Sequence, residues 1–149
     1  MQRFQVKVID GPLPPDFSAS AMEPTLETSP DEAPVLAELL QREPLFHRPE
    51  FGTSRADFER LAHSAFWEVG ASGRRYSRRF VLDTLEKRYE HPTTSVWEMQ
   101  DPHCLKIGPD NYLLTYTLIQ DKRVTRRSTI WRRSGARWQV VYHQGTEVR

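Results

Sequence analysis

Apolar residues recur at helical spacing in the first half of the chain and at strand spacing in the second. Val35, Leu36, Leu39 and Leu40 form an i, i+1, i+4, i+5 stripe. Asp31 is placed to cap it and Pro34 is tolerated in a first turn, so a helix with one leucine-rich face is predicted there. A second helix is predicted to begin near Thr53 or Ser54, to set Phe58, Leu61, Ala62 and Ala65 at i, i+3, i+4 and i+7, and to stop near His63. For a third, Tyr76 and Ser77 stand as preceding hydrophobe and N-cap, and Val81, Leu82, Leu85 and Tyr89 face inward. Tyr76 is expected to staple onto Val81, and His91-Pro92 ends the helix.

Period-2 patterning then takes over. A short strand, Phe66 to Val69, precedes the turn Gly70-Ala71-Ser72-Gly73, and strands are predicted over 94–100, 103–107, 112–119, 124–133 and 137–144. The last two flank Ser134-Gly135-Ala136 and read as an antiparallel hairpin ending in the polar tail His143-Gln144-Gly145-Thr146. Helices first and a meander last predict an α+β domain, a curved antiparallel sheet wrapped around three N-terminal helices. Ahead of it, Phe4, Val6 and Val8 alternate with Gln5 and Lys7, and Pro12, Pro14, Pro15, Pro24 and Pro30 suit neither helix nor sheet interior. Residues 1–30 are therefore expected as an extended or disordered arm and residues 31–149 as one domain. The arm either hangs free or adds Phe4 to Val8 to an exposed sheet edge, on its own body or on a second subunit.

Composition narrows the classes. A chain of 149 residues buries about 70% of its unfolded surface, enough for a core without staples. The single cysteine, Cys104, excludes an internal disulfide framework, and no apolar run approaches the roughly 20 residues of a membrane span. Met1 to Asp10 lacks an apolar signal core, so no membrane association and a cytoplasmic location are expected. Net charge is +1 but uneven: residues 1–45 hold 8 acidic and 3 basic groups, residues 46–149 hold 12 and 18. The basic body does not announce a nucleic-acid site, because its arginines come in separated pairs that strand alternation sends to opposite faces. The pairs Arg74-Arg75 and Arg78-Arg79 sit unfavourably at a helix start, which points to an acidic partner or the acidic arm.

The segments Phe66-Trp67-Glu68-Val69-Gly70, Ser72-Gly73-Arg74 and Tyr76-Ser77, followed by Arg127-Ser128, Trp131-Arg132, Gly135, Trp138 and His143-Gln144-Gly145-Thr146, carry a resemblance. In order and spacing, over roughly residues 35–147, they resemble an uncharacterised bacterial group within the nuclear-transport-factor-2-like superfamily. That superfamily includes steroid-isomerase-like and polyketide-cyclase-like proteins. The resemblance implies a cystatin-like cone around a cavity, a homodimer formed through the sheet, and a role in binding, isomerisation, dehydration, cyclisation or protein assembly. The Tyr and acid set of the steroid isomerases has no match by motif, and residues 1–30 lie outside the resemblance. Fold alone carries no function.

Candidate chemistry centres on Glu68 and His143. A carboxyl in an apolar wall has its pKa raised by desolvation, a neighbouring imidazole draws it back, and such a pair shuttles a proton from a carbon acid. Gln144, Ser128 and Arg127 are candidates to hold a ligand oxygen, and Trp67, Trp97 and Trp131 to wall the ligand. The bland alternative is that Glu68 and His143 only lock a loop by hydrogen bonding. Strict alternation puts Trp138, Val140, Tyr142 and Gln144 on one face of the last strand and Gln139, Val141 and His143 on the other. His47, His63, His91 and His103 are scattered, so neither metal nor cofactor is expected. These features describe a domain that binds a small, mostly apolar molecule. The alternatives are an isomerase or lyase using the Glu68 and His143 shuttle, and a protein-interaction or neutralising module.

Overall fold

The computed structural model of the chain describes residues 5–8 by their backbone and residues 23–92 and 95–149 in full. The elements are β1 (Gln5–Val8), α1 (Ala33–Leu40), a 3-10 turn (Pro49–Phe51), α2 (Arg55–Leu61), β2 (Ala62–Val69), β3 (Arg75–Ser77), α3 (Arg78–Glu90), β4 (Val96–Gly108), β5 (Asn111–Gln120), β6 (Arg123–Ser134) and β7 (Arg137–Glu147).

Helix starts follow the local chemistry with one correction. The residue at the start of α1 is Glu32, not Asp31, and it makes no side-chain cap; proline in the first turn suffices. Ser54 begins α2 with a full capping box, its side chain accepting from the Asp57 N–H while the Asp57 carboxylate accepts from the Ser54 N–H. Ser54→Ala is expected to destabilise the fold by about 1 kcal/mol in urea unfolding. Ser77 caps α3 by accepting from the Phe80 N–H, and the Tyr76 ring stacks on Phe80 at 5.1 Å while packing against the core that holds Val81.

Among the described residues the strands form one sheet in the order β1-β4-β5-β6-β7-β2-β3. β4 to β7 are the antiparallel meander expected, but the whole sheet is mixed, because β1 joins β4 in parallel and β2 joins β7 in parallel. A meander ends in two unpaired edges, and here each edge is covered by a segment from earlier in the chain. The pairing of Gln5 to Val8 with Val96 to Met99 is intramolecular. Phe4 and residues 9–22, with Pro12, Pro14 and Pro15, lie outside the described residues. After them the chain runs along β4, where the Cys104 N–H donates to Thr28 Oγ1 at 3.1 Å.

Two irregularities decide which side chains face inward. The strands predicted over 94–100 and 103–107 are one strand, β4, bent by a bulge between Gln100 and His103 with Asp101 at φ 52°. In β7 the register moves from Ile130 opposite Tyr142 to Trp131 opposite Val140, leaving Val141 as the extra residue. That bulge reverses the phase of the strand, so His143 shares the buried face with Trp138 and Val140. The helices cover this face, and Leu39, Phe58, Leu82 and Leu85 pack with Met99, Leu114, Trp131 and Val140 in one core. No helix among the described residues is long and apolar enough to cross a membrane.

Candidate functional site

One register row across the sheet builds the site. Cys104, Leu114, Thr129, His143 and Glu68 stand side by side on β4, β5, β6, β7 and β2. At the β7 and β2 end of this row the helical layer leaves a pocket of about 320 Å³. Glu68, His143 and Arg127 form its sheet wall, Val81, Leu85 and Phe46 its apolar wall, and His47 and Arg88 its rim. A second cleft of about 380 Å³, lined by Trp97, Gln120 and Arg123, shares His47, Arg88 and Arg127 with the first.

The charge states follow from burial and partners. His143 is buried, with Nδ1 2.9 Å from Thr129 Oγ1 on the neighbouring strand. Loss of hydration, and after it the Arg127 charge, hold its pKa down to about 3, so the ring is neutral at neutral pH. His47 is also held down to about 3, first by burial and then by Arg88, Arg127 and His143. Its Nε2 lies 3.0 Å from Arg88 Nη1, and because a guanidinium can only donate, this nitrogen accepts and the ring proton sits on Nδ1. The Trp97 ring meets His47 edge-on at 4.3 Å. Burial raises the pKa of Glu68 while Arg127 and Arg88 oppose that rise. Glu68 and His143 are register partners in the parallel pair and both line the pocket, yet no hydrogen bond joins them among the described residues.

Of the residues singled out in the sequence, Glu68, His143 and Arg127 meet in the pocket and Trp97 walls the adjoining cleft. Trp131 is fully buried and its indole N–H donates to Glu43. Trp67, Ser128 and Gln144 stand outside the pocket. Trp67 is 43% exposed and packs on Tyr142 at 4.9 Å, and Gln144, opposite Ser128, accepts from the Tyr142 hydroxyl at 2.7 Å. Adjacent residues of a strand face opposite sides, so only one of His143 and Gln144 could enter the pocket, and the bulge at Val141 selects His143.

Glu43 escaped the sequence reading. It follows α1, is wholly buried, and its Oε2 accepts from the Leu45 N–H at 2.6 Å and the Tyr116 hydroxyl at 2.7 Å. Its Oε1 accepts from Trp131 Nε1 at 3.2 Å. Burial first, then Glu43, pushes the Tyr116 hydroxyl well above its ordinary pKa, so the phenol stays a donor. The only signal in the sequence was that inward-facing Tyr116 and Trp131 each need an acceptor. Among the described residues no group of three or more His, Cys, Asp or Glu is placed to hold a metal.

No family model matches the chain, and no curated protein matches it. Solved structures do. A nuclear transport factor 2-like protein from Cytophaga hutchinsonii superposes with a TM-score of 0.59 at 12% identity, over 75% of this chain and 97% of that one. A cystatin-like fold protein from Burkholderia xenovorans gives 0.57 at 15% identity over 80% and 94%. A Parabacteroides distasonis protein provisionally described as a ketosteroid isomerase gives 0.54 at 15% identity over 83% and 90%. At these identities the likeness shows the fold, and the fold is the α+β cone of nuclear-transport-factor-2-like and cystatin-like proteins.

Proposed function

We propose that the chain binds a small molecule in the pocket between α3 and the β7 and β2 end of the sheet. The observation that carries this is the division of the pocket, with Glu68, Arg127 and His143 converging on one wall and Val81, Leu85 and Phe46 on the other. A concave, partly apolar site with a few convergent polar groups is the usual build of a small-molecule site, and about 320 Å³ suits a modest ligand.

The outer face of the sheet supports a dimer. In the row next to the pocket row, Leu105, Leu113, Ile130, Tyr142 and Trp67 make an apolar band across β4, β5, β6, β7 and β2. Leu105 is 49% exposed and Trp67 43%. A second copy packed on this band would bury it. Native mass spectrometry of the purified protein tests both points: a dimer mass carrying a non-protein adduct is expected. Thr84→Phe, which fills the pocket, should lose the adduct and keep the dimer, whereas Ile130→Glu should lose the dimer. A protein that takes up nothing from a metabolite extract would overturn the binding reading.

One observation favours a catalytic reading beside it. Glu68 is partly desolvated with its pKa raised, the condition of a carboxylate suited to taking a proton from a carbon acid. On that reading Glu68→Gln lowers turnover by about 100-fold or more while folding and ligand capture survive. Equal turnover in wild type and variant would remove Glu68 from the chemistry.

A further inference from the structure

We propose that the ligand of this pocket is an organic acid, its single carboxylate set between Arg127 and Arg88 and its apolar body lying against Phe80, Val81 and Leu85. This rests on the small-molecule reading above and adds the chemical class. Phe80, 53% exposed and stacked on Tyr76, extends the apolar wall to the pocket mouth.

Charge bookkeeping carries it. The first pocket is walled by two guanidiniums, Arg88 and Arg127, and one carboxyl, Glu68, and the adjoining cleft adds Arg123 and no acid. His47 and His143 contribute none of the missing negative charge, and His47 accepts a hydrogen bond from Arg88 as a neutral ring. The ion pairs among the described residues employ Arg55, Arg60, Arg79, Arg126 and Arg133, but neither Arg88 nor Arg127. The hydrogen-bond partners of these two are neutral, His47 Nε2 for Arg88, and Thr125 Oγ1 and the Tyr116 hydroxyl for Arg127. Glu43 lies behind Tyr116, with its oxygens already taken by three donors.

A partly desolvated guanidinium without an anion is an unfavourable arrangement that a bound anion relieves. Two positive groups against one acid leave the first pocket an excess of one positive charge. A monocarboxylate neutralises that excess, and its planar oxygens match the guanidinium fork, whereas a phosphate dianion overshoots it.

Isothermal titration calorimetry on the full chain in low salt tests this with decanoate, benzoate and naphthoate, each beside its neutral primary amide. At least one acid is expected to bind about tenfold or more tightly than its amide. Arg127→Gln and, separately, Arg88→Gln should weaken that acid about tenfold or more and the amide much less, so that the preference for the acid collapses. Arg88 lies at the exposed rim, so its variant decides the matter if Arg127→Gln fails to fold. Amides that bind as tightly as acids would overturn the anion proposal and leave the small-molecule reading standing, as would an acid preference untouched by the Arg88 substitution. Failure of both series removes the acid proposal, and the adduct seen or missed in the mass spectrum then decides the wider reading independently.

Discussion

Glu43→Ala is expected to destabilise the protein by about 4 kcal/mol, read as a lower midpoint in urea unfolding. The carboxylate is 0% exposed and takes hydrogen bonds from the Leu45 N–H, the Tyr116 hydroxyl and the Trp131 indole N–H. Removing it leaves three buried donors without an acceptor, and each orphan costs about 1–3 kcal/mol. The cavity left behind adds to that loss. Glu43→Gln keeps one acceptor oxygen but turns an NH₂ group toward a donor, so an intermediate loss of about 2 kcal/mol is expected. A loss below about 1 kcal/mol for the alanine variant would mean that the carboxylate does not hold α1 to the sheet in this way.

The second large effect is a fall in stability on mild acidification. The pKa of His143 is about 3 in the folded chain against an ordinary 6.5, so the unfolded chain takes up the proton first. Stability that is fully present above pH 6.5 is lost as pH falls from there toward 3. At pH 5 the loss through His143 alone is about 2 kcal/mol. His47, with the same depressed pKa, acts in the same direction, and the two are linked because a charge on either opposes a charge on the other. Glu68 works the opposite way: its raised pKa lets the folded chain gain stability as pH drops through it. Asp57 and Asp83, held low by their hydrogen bonds, lose their contribution only below the ordinary carboxylate range. Urea midpoints measured from neutral pH down to pH 5 should therefore decline in wild type and decline less in His143→Asn. A decline as steep in His143→Asn as in wild type would show that the His143 imidazole is hydrated, and with it that the pocket wall is open.

The helical faces were legible because they depend on neighbours three and four residues away. Val35, Leu39, Val81, Leu82 and Leu85 are buried as their spacing required. Local pattern misled where a tertiary partner intervened. Ala62 continued the α2 stripe, yet it opens β2 opposite Val140, because an alanine satisfies either period and the free β7 edge decided between them. Three residues, Arg75 to Ser77, are too few to show alternation, so β3 was invisible until it paired with Trp67 to Val69. Asp101-Pro102 broke the pattern of β4 in two, although the strand passes through them as a bulge.

By itself the sequence determined the three helices, their apolar faces and the α+β class, and it put Glu68, Arg127 and His143 forward among a wider set of candidates. Each of these depends on residue chemistry and short spacing, which the chain carries locally. Only the tertiary structure decided the parallel pairings at both sheet edges, the choice of His143 over Gln144, and the meeting of Glu43 with Tyr116 and Trp131 across 73 and 88 residues of sequence. One extra residue in a strand reverses every side chain beyond it, and a buried acceptor finds its donors only when distant segments close on one another. Neither event leaves a periodic trace in the chain.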